Sequence, residues 1–519
     1  MTMRRLSLLL ATSTLILGAA PPERVDLLIR GGTIYTGSDA PFVGDVAISG
    51  DRIQAVGKSL SLPASRVVDA KGMIVAPGFI DPHTHLSEQL LSDDAGTRLV
   101  PAFLMQGVTT AFIGNDGGGD PDLKTVLGSA STKPVGINYA AYVGLGPVRR
   151  QVVGDDDRAP TADELARMKQ LVATAMCGGA LGFSTGLFYA PQSFAKTDEV
   201  VALAREAGAR GGTYDSHLRD ESSYSIGLAA AVDEAIEVGR EAGLPVHIAH
   251  IKALGVDVHG QAPAIIAKVE AAQRAGQKVT ADQYPWSASG TSLSASLVPR
   301  WAQDGGRSAL LKRFDDASLA GKLRADMADN LRRRGGAASL LITTGRHKGS
   351  TLADVAKAKA MDPVAAAIAV IRVADASVAS FNQTEEDIAA FMQRPWVMTG
   401  SDASTGHPRA FGTFPRKYSD YVVARKVITL RDFIERSTSL TADTFGLEGR
   451  GRLKPGGFAD VVVFDPKTFS ARATYEQPTL LSEGVRTLIV NGVVAVDKGE
   501  PTGEAAGRAL KKTPKPGTC

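Results

Sequence analysis

The sequence contains few cysteines, little net charge and no long apolar run after its first twenty residues. Only two of its 519 residues are cysteine, Cys177 and Cys519, which excludes a disulfide framework. We expect Cys177, in a helical stretch, to be a packed or free thiol, and Cys519, the last residue, to be mobile, with a bridge between the two as the alternative. The balance of 58 basic against 55 acidic residues, a net charge of +3, gives no reason to expect nucleic acid or an anionic membrane surface as a partner.

The apolar run at the start of the chain is short. Residues 1–20 read MTMRRLSLLLATSTLILGAA, with Arg4 and Arg5 before the run and small residues after it. This pattern predicts a signal peptide, and therefore a secreted or periplasmic protein with no membrane contact beyond export. An uncleaved membrane anchor is the alternative, although the run is short for a span.

The two ends of the chain are both rich in short β segments. Residues 21–72 and 450–503 contain runs such as VDLLIRGGTIY and VRTLIVNGVVAVDKGE, separated by Gly and Asp. Such runs are typical of short strands. We expect the two segments to pair into one small β-sandwich domain beside the middle of the chain, with a tail at 504–519.

The middle of the chain, residues 73–449, alternates strand and helix patterns. This alternation predicts an α/β fold, a closed (β/α)8 TIM-like barrel, with an open doubly wound sheet as the structural alternative. The candidate strands are 73–81, 108–115, 138–145, 179–186, 211–217, 245–251, 278–284 and 396–402. A structureless loop over the long interval 287–395 is implausible, so we expect an insertion near the barrel mouth there. The charges in its stretch LKRFDDASLAGKLRADMADNLRRR are typical of a solvated helix face.

Four of the eight histidines fall at the ends of candidate strands. His83 and His85, in GFIDPHTH, lie two residues apart at the end of the first strand, so both side chains point the same way. His217 and His250 end the fifth and sixth strands. A lone histidine at such a place is more often a satisfied core residue. Because imidazole is a common zinc ligand and these strand ends meet at one end of a barrel, the set of four predicts a metal site.

Asp402, in WVMTGSDASTG, ends the eighth candidate strand. A carboxylate beside a metal-bound water can take its proton and pass it to a leaving amine, although a helix N-cap or an Asx-turn would also suit this residue. His247 points to the other face of its strand, which indicates a structural role. Ligand spacing is not evident for His259, His347 and His407.

The order His-X-His, His, His, Asp on strands one, five, six and eight resembles the amidohydrolase superfamily, and within it the N-acyl-D-amino-acid deacylase (D-aminoacylase) family. The resemblance covers nearly the whole chain and rests on the motifs GVTTAFIGNDG, GALGFSTGLFYAP, SHLRDES, AHIKALG, DQYPWSASGTSL, SDASTGHPR and FGTFPR. It implies that His83, His85, His217 and His250 bind one or two Zn²⁺ ions per chain. It also implies that Asp402 is the catalytic residue.

The same resemblance implies a set of substrate-binding residues. Lys252, Tyr284 and Arg409 resemble residues that hold the α-carboxylate of the substrate, and two cations with a phenol suit one carboxylate. For the two cations, ion pairs at the barrel rim are the alternative. Tyr189, in GLFYAP, is expected to contact the substrate or the oxyanion, or else to serve packing.

The sequence departs from the pattern of this family in the turn after the second candidate strand. Family members with a bridging cysteine ligand carry it in a GNCG turn, where this chain has Gly114-Asn115-Asp116-Gly117. Asp116 offers a harder oxygen ligand and is predicted to bind metal, although aspartate is also an ordinary turn residue. The number of metal ions is therefore open. The fourth candidate strand, GALGFSTGL, contains no lysine, which argues against hydantoinase-type enzymes, since these use a carboxylated lysine there.

The expected function is zinc-dependent hydrolysis of N-acyl-D-amino acids to a carboxylate and a D-amino acid by a metal-activated water. The expected partner is a small molecule, either an N-acyl-D-amino acid or a D-peptide. One alternative is an amidohydrolase that acts on dipeptides with a C-terminal D-residue or on another linear amide. Another is a non-catalytic zinc-binding barrel. The side-chain preference depends on pocket walls formed by loops and the insertion, and no motif speaks to the oligomeric state.

Overall fold

The computed structural model describes residues 24–519, and the predicted signal peptide lies outside this range. The first strands are β1 (Val25–Ile34), β2 (Phe42–Ser49), β3 (Arg52–Gly57), β4 (Ala64–Asp69) and β5 (Ile74–Pro77). On one edge, β1 pairs with β4 along its first half and with β5 along its last residues. A bulge between Ile29 and Gly32 separates the two halves, and such bulges bend a strand. The long strand β1 therefore pairs with both β4 and β5 along the same edge.

Parallel strands follow and form most of a barrel. They are β6 (Phe79–Asp81), β7 (Val108–Ile113), β8 (Asn138–Ala141), β9 (Val143–Gly144), β10 (Gly182–Gly186), β11 (Thr213–His217), β12 (Val246–Ile248) and β13 (Val279–Gln283). Neighbours pair in parallel, and β8 and β9 are two parts of one strand interrupted at Tyr142. All residues of β7 and β11 are buried, as expected for parallel strands covered on both faces.

Helices connect the parallel strands. They are α1 (Ser87–Leu90), α2 (Ala95–Arg98), α3 (Pro101–Leu104), α4 (Leu123–Gly128), α5 (Leu145–Val152), α6 (Ala162–Cys177), α7 (Thr197–Ala209), α8 (Leu228–Ala242) and α9 (Ala262–Arg274). A capping box of Thr161 and Glu164 starts α6, which satisfies free backbone N–H groups. Met168, Val172 and Met176 then recur at four-residue spacing and are buried in the main core, as on one face of an amphipathic helix. Every helix within residues 24–519 is too short or too polar to qualify as a membrane span.

The chain next forms a separate three-stranded antiparallel sheet with five helices. These elements are β14 (Ala288–Ser292), α10 (Leu293–Leu297), α11 (Gly306–Asp315), α12 (Ala317–Arg333), β15 (Leu340–Ile342), α13 (Leu352–Ala358), α14 (Pro363–Val373) and β16 (Ser377–Phe381). They enclose their own hydrophobic core, which includes Leu297 and Met327. The following helix, α15 (Glu385–Met392), instead packs Ile388 into the main core of the barrel.

The last barrel strand, β17 (Val397–Thr399), closes the ring. It pairs with β13, and a parallel bridge between Thr84 and Ala403 joins its extension to the first barrel strand. The predicted closed barrel is therefore confirmed, and the open sheet is excluded. The chain continues through α16 (Arg409–Arg416), a π-helix over Lys417–Ala424, α17 (Leu430–Arg436) and α18 (Ser439–Phe445).

The final strands return to the sheet of the first ones. They are β18 (Val461–Phe464), β19 (Val485–Val490), β20 (Val493–Asp497) and β21 (Glu500–Pro501). Because β18 pairs with β5, both chain ends form one nine-stranded sheet in the order β21-β20-β19-β18-β5-β1-β2-β3, with β4 beside β1. Residues from both segments, such as Ile29 and Val461, share one hydrophobic core.

The C-terminal tail lies across the amino ends of barrel strands. Backbone N–H groups of Leu510, Lys512 and Lys515 donate to carbonyls of Tyr139, Gly179 and Arg210. This path brings Cys519 to the end of α6, where it forms a disulfide with Cys177. The predictions of a packed or free thiol at Cys177 and of a mobile Cys519 are therefore wrong. The pairing depends on backbone hydrogen bonds between segments far apart in sequence, which no spacing of two cysteines could indicate.

The disulfide yields a stability prediction. Replacing Cys177 and Cys519 together by Ser should lower the free energy of unfolding by about 2–4 kcal/mol, because the bridge constrains the unfolded chain. Urea denaturation of the double variant and the wild type measures this difference. The wild type under reducing conditions is the control and should approach the variant. An unchanged midpoint in both samples would show that the bridge adds nothing to stability.

Candidate metal centre and substrate cavity

The carboxyl ends of the barrel strands bring the predicted site residues to one end of the barrel, which is the active-site end of such folds. They are His83 and His85 after β6, Asp116 after β7, Tyr189 after β10, His217 at the end of β11, His250 and Lys252 after β12, Tyr284 after β13, and Asp402 and Arg409 after β17.

Four histidines and two aspartates form two overlapping groups of possible metal ligands. Within each group the ligand atoms lie within 4.8 Å of one another: His83, His85, Asp116 and Asp402 in the first, and Asp116, His217 and His250 in the second. Asp116 belongs to both groups. Its Oδ1 lies 3.3 Å from Nε2 of both His83 and His250, and its Oδ2 lies 3.5 Å from a ring nitrogen of both His85 and His217. The carboxylate of Asp116 therefore stands between the two groups.

The residues fit a metal ion. Zinc–nitrogen bonds of about 2.0–2.1 Å place the ligand atoms of a tetrahedral site about 3.3–3.4 Å apart, close to the separations around Asp116. Nε2 of His83 and Oδ1 of Asp116 are also buried without a hydrogen-bond partner among the described residues. Buried polar atoms are rarely left unpaired in proteins, so these two atoms indicate that a metal ion binds between them.

Three residues of these groups have unusual backbone conformations. Asp116, His250 and Asp402 have φ values of +54°, +35° and +47°, in the left-handed region that non-glycine residues seldom adopt. Such strain persists where the surrounding structure imposes it, and it is concentrated at functional sites. Gly117 has a φ of +68°, which favours glycine, and a Cβ atom there would lie 1.9 Å from Oε1 of Gln192, so a larger residue would strain the turn that presents Asp116 and displace that side chain.

A buried carboxylate below the histidines, Asp282, orients them. Its Oδ2 lies 3.0 Å from Nε2 of His247 and 3.5 Å from Nδ1 of His83, and it accepts a hydrogen bond from the backbone N–H of His250. Burial alone would raise the pKa of Asp282, but the imidazoles of His83 and His247 hold it well below its usual range. Carboxylates in this position fix the ring orientation of ligating histidines. His247 thus lies on the far side of Asp282 from the metal site.

Sequence reasoning missed Glu221. Its Oε1 lies 2.5 Å from Nζ of Lys252 and 3.1 Å from Nδ1 of His250. Burial would raise the pKa of Glu221, but the charge of Lys252 lowers it far below the usual value. The sequence feature that could have identified Glu221 is its position four residues after His217, within the SHLRDES motif that carries the resemblance. Asp282, in DQYPW at the end of the seventh strand, was overlooked in the same way.

The three predicted carboxylate-binding residues lie together, with both cations close to the phenol ring of Tyr284. The guanidinium of Arg409 is 4.7 Å from the ring centroid of Tyr284, and Nζ of Lys252 is 5.8 Å from it. Burial raises the pKa of Tyr284 far above its usual range, so the phenol stays protonated and can donate. His407, for which no role was expected, accepts the backbone N–H of Arg409 through Nδ1. It therefore helps to hold that arginine in place.

Asp402 connects the metal groups with this cluster. Its Oδ1 lies 3.1 Å from Nε2 of His85, and its Oδ2 lies 2.8 Å from Nη1 of Arg409. Burial would raise the pKa of Asp402, but the charge of Arg409 outweighs it and keeps the pKa well below the usual value. The side chain is therefore an ionised carboxylate at the mouth of the site, able to accept a proton.

One cavity of about 260 Å³ opens onto these groups, slightly below the usual range for small-molecule sites. Its walls include His85, Asp116, Tyr189, His217, His250, Lys252, Asp402 and Arg409. The ring of Tyr189 lies 4.8 Å from that of His217. The inserted elements supply further lining residues, including Gly290, Thr291 and Val378. The insertion therefore forms part of the cavity wall.

Comparison with known proteins identifies a family, a relative and two similar solved structures. The sequence profile of the amidohydrolase family matches residues 66–135 and 137–496. The chain is 34% identical to a D-aminoacylase of Alcaligenes xylosoxydans xylosoxydans, covering 94% of this chain and 98% of the relative.

Two solved structures are similar over 94% of this chain and 100% of theirs, both at 31% identity. One, at a TM-score of 0.81, is N-acyl-D-glutamate deacylase from Bordetella bronchiseptica, complexed with zinc and a phosphonate inhibitor that mimics the tetrahedral intermediate of the reaction. The other, at a TM-score of 0.80, is D-aminoacylase, an enzyme with a binuclear metal centre.

Proposed function

The chain belongs to the amidohydrolase family and is a hydrolase of amide bonds, and from this premise we propose that it cleaves N-acyl-D-amino acids with the help of zinc. The D configuration and the N-acyl group are those for which the similar enzymes are named. The observation that carries the proposal is the convergence, in one cavity, of two ligand groups, an ionised carboxylate and a cluster of carboxylate-binding side chains.

Zinc fits the donor set of four imidazoles and an oxygen ligand. His217, His250 and Asp116 would hold one ion, and His83 and His85 with Asp116 would hold a second. When bound, zinc supplies Lewis acidity that polarises the acyl carbonyl and makes a water molecule nucleophilic near neutral pH. We propose up to two ions per chain, since Asp116 is within reach of both groups.

The side chains of the cavity perform the remaining steps. Lys252, Tyr284 and Arg409 bind the α-carboxylate of the substrate and so place its amide over the metal groups. Asp402 accepts a proton from the attacking water and delivers it to the leaving nitrogen, so that a carboxylic acid and a free amine result. Because Arg409 touches Asp402, the same arginine positions both the substrate and the base. Tyr189, also in the cavity wall, would donate to the carbonyl oxygen.

Two alternatives make different demands on the cavity. A dipeptide with a C-terminal D-residue offers the same α-carboxylate but carries an ammonium group on the acyl side. A non-catalytic zinc-binding barrel would have no need for the buried pair of Asp402 and Arg409, which are 5% and 1% exposed and open onto the cavity.

A substrate panel tests the proposal. We expect the zinc-loaded protein to hydrolyse N-acetyl-D-methionine with a kcat/KM roughly 100-fold or more above that for the L enantiomer, because only one enantiomer can place its amide over the metal while its carboxylate is held. Release of the free amino acid measures turnover. Faster cleavage of glycyl-D-methionine would favour the dipeptide alternative. Activity on N-acetyl-L-amino acids alone would contradict the D assignment, and inactivity on a full set of neutral, acidic and basic N-acetyl-D-amino acids would contradict deacylation.

We also propose that the protein is exported. The disulfide between Cys177 and Cys519 supports this, because such bonds persist in oxidising compartments such as the periplasm. The leader-like sequence at 1–20 agrees with the same location.

A further inference from the structure

Three consecutive arginines, Arg332, Arg333 and Arg334, lie at the end of helix α12 of the insertion, the last of them just after the helix, and they differ in their partners. Arg332 pairs with Asp257 at 2.7 Å and with Asp329 at 2.9 Å. Arg333 pairs with Asp329 at 2.6 Å. For Arg334, no carboxylate of residues 24–519 lies within 4.0 Å of its guanidinium nitrogens. Arg332 and Arg333 therefore behave as the solvated helix face that the sequence predicted, whereas Arg334 does not.

Arg334 is also the most buried of the three. Its exposed fraction is 2%, and its Nε and Nη1 have no hydrogen-bond partner among the described residues. The side chain lines the cavity that holds the metal groups. An unpaired buried charge is strongly destabilising, so a guanidinium in this state points to an anion that the free protein lacks.

The other charges of the cavity are already balanced. Lys252 is paired with Glu221 at 2.5 Å, and Arg409 with Asp402 at 2.8 Å. The third carboxylate, Asp116, is surrounded by the four imidazoles. Of the charged residues that line the cavity, Arg334 is thus the cation left without a counter-charge within residues 24–519.

The surroundings of Arg334 are cationic and preformed. Arg300 lies 3.8 Å from the ring centroid of Phe188, and Arg334 lies 6.0 Å from the same ring. Burial and the charge of Arg334 contribute to lowering the pKa of Arg300 to about 10. The turn that carries Arg334 is fixed to the loop after β12, because the backbone N–H of Val256 donates to the carbonyl of Arg333. The backbone that carries Arg334 is therefore anchored to the barrel, and the buried guanidinium packs beside the ring of Phe188.

We propose that the substrate carries a second carboxylate, bound by Arg334, and that the preferred substrates are N-acyl derivatives of D-glutamate or D-aspartate. This inference rests on the proposed deacylase function and specifies its substrate class. Lys252, Tyr284 and Arg409 bind the α-carboxylate, while Arg334, on the wall formed by the insertion, binds the side-chain carboxylate. An arginine fork suits a carboxylate because it can donate two parallel hydrogen bonds.

The test compares isosteric substrates in two variants. In the wild type we expect kcat/KM for N-acetyl-D-glutamate to exceed that for N-acetyl-D-glutamine by roughly 10- to 100-fold, as a charged hydrogen bond would give. In Arg334→Met the ratio should fall to within about threefold, with the loss mainly on the acidic substrate. Arg332→Met is the matched control, because Arg332 is already paired outside the cavity, and it should keep the wild-type ratio.

A stability measurement separates binding from a structural role. Arg334→Met removes an unpaired buried charge, so its melting temperature should equal or exceed that of the wild type. N-succinyl-D-leucine, which carries the second carboxylate on its acyl group, tests the other source of the same chemistry. A preference for it that Arg334→Met abolishes would support the second carboxylate but move it to the acyl side.

Other results would overturn the inference. Equal rates on N-acetyl-D-glutamate and its amide, or a ratio unchanged by Arg334→Met, would show that Arg334 binds no substrate carboxylate, and activity on N-acetyl-D-methionine would leave the deacylase function standing. A lower melting temperature of Arg334→Met with unchanged selectivity would assign the residue to the fold. If no N-acyl-D-amino acid is cleaved, the deacylase proposal itself fails.

Discussion

Replacing Asp402 by Asn should reduce kcat/KM for the best N-acetyl-D-amino acid by roughly 10²- to 10⁴-fold, the usual contribution of a positioned general base. The amide has nearly the same shape as the carboxylate but cannot accept the proton of the attacking water. It also leaves Arg409, 2.8 Å away, in place to bind substrate, so KM should change less than kcat. Steady-state kinetics on the zinc-loaded protein give both parameters.

The control for Asp402→Asn is Asp443→Asn. Asp443 is a surface carboxylate paired with Arg452 that does not line the cavity, and its loss should leave kcat/KM unchanged. Asp402→Asn should keep the zinc ion held by His217 and His250, and its circular dichroism spectrum should match that of the wild type. If Asp402→Asn kept full activity, another group would have to move the proton, and the role proposed for Asp402 would be wrong.

Replacing Asp116 by Ala should have a second large effect, on metal binding itself. Because Asp116 is the member common to both ligand groups, its removal takes an oxygen ligand from each. We expect zinc affinity to fall at least 10- to 100-fold, roughly the loss seen when even an outer partner of a ligand is removed. Competition with a chromogenic zinc chelator measures the affinity without reference to activity. Asp116→Cys, which returns a metal-binding side chain to the turn, should recover most of it.

Asp120→Ala is the matched control for this experiment. It removes an exposed carboxylate four residues further along the same loop, and it should bind zinc like the wild type. Equal affinities of Asp116→Ala and the wild type would mean that imidazoles alone hold the metal. The left-handed conformation at Asp116 would then need a different explanation.

The positions of the metal-binding candidates could be predicted because strand ends and function are closely linked in a barrel. His83, His85, His217 and His250 each end a short apolar run, and all such ends meet at one mouth. The pattern could not reveal which other polar residues join them. Glu221 and Asp282 lie beside the histidines, yet each is a single carboxylate with no spacing to distinguish it from a turn or strand-end residue.

Three features depended on contacts between distant parts of the chain. The pairing of Cys177 with Cys519 follows from the course of the tail across the amino ends of the strands. The shared sheet of β5 and β18 joins residues almost four hundred positions apart. Arg334 belongs to a run of charged residues whose pattern predicts a solvent-exposed helix face. Only the packing of the insertion over the barrel places its side chain in the cavity wall.

By itself, the sequence determined the alternation of strands and helices, the family, and the set of imidazoles and carboxylates available for metal and proton chemistry. These follow from local periodicity and from residue type, which are properties of short segments. The tertiary structure alone decided that Asp116 lies between both ligand groups, that Arg409 pairs with Asp402 and that Arg334 has no counter-charge within residues 24–519. Those facts are distances between side chains whose positions depend on how the whole chain packs, and no short segment contains them.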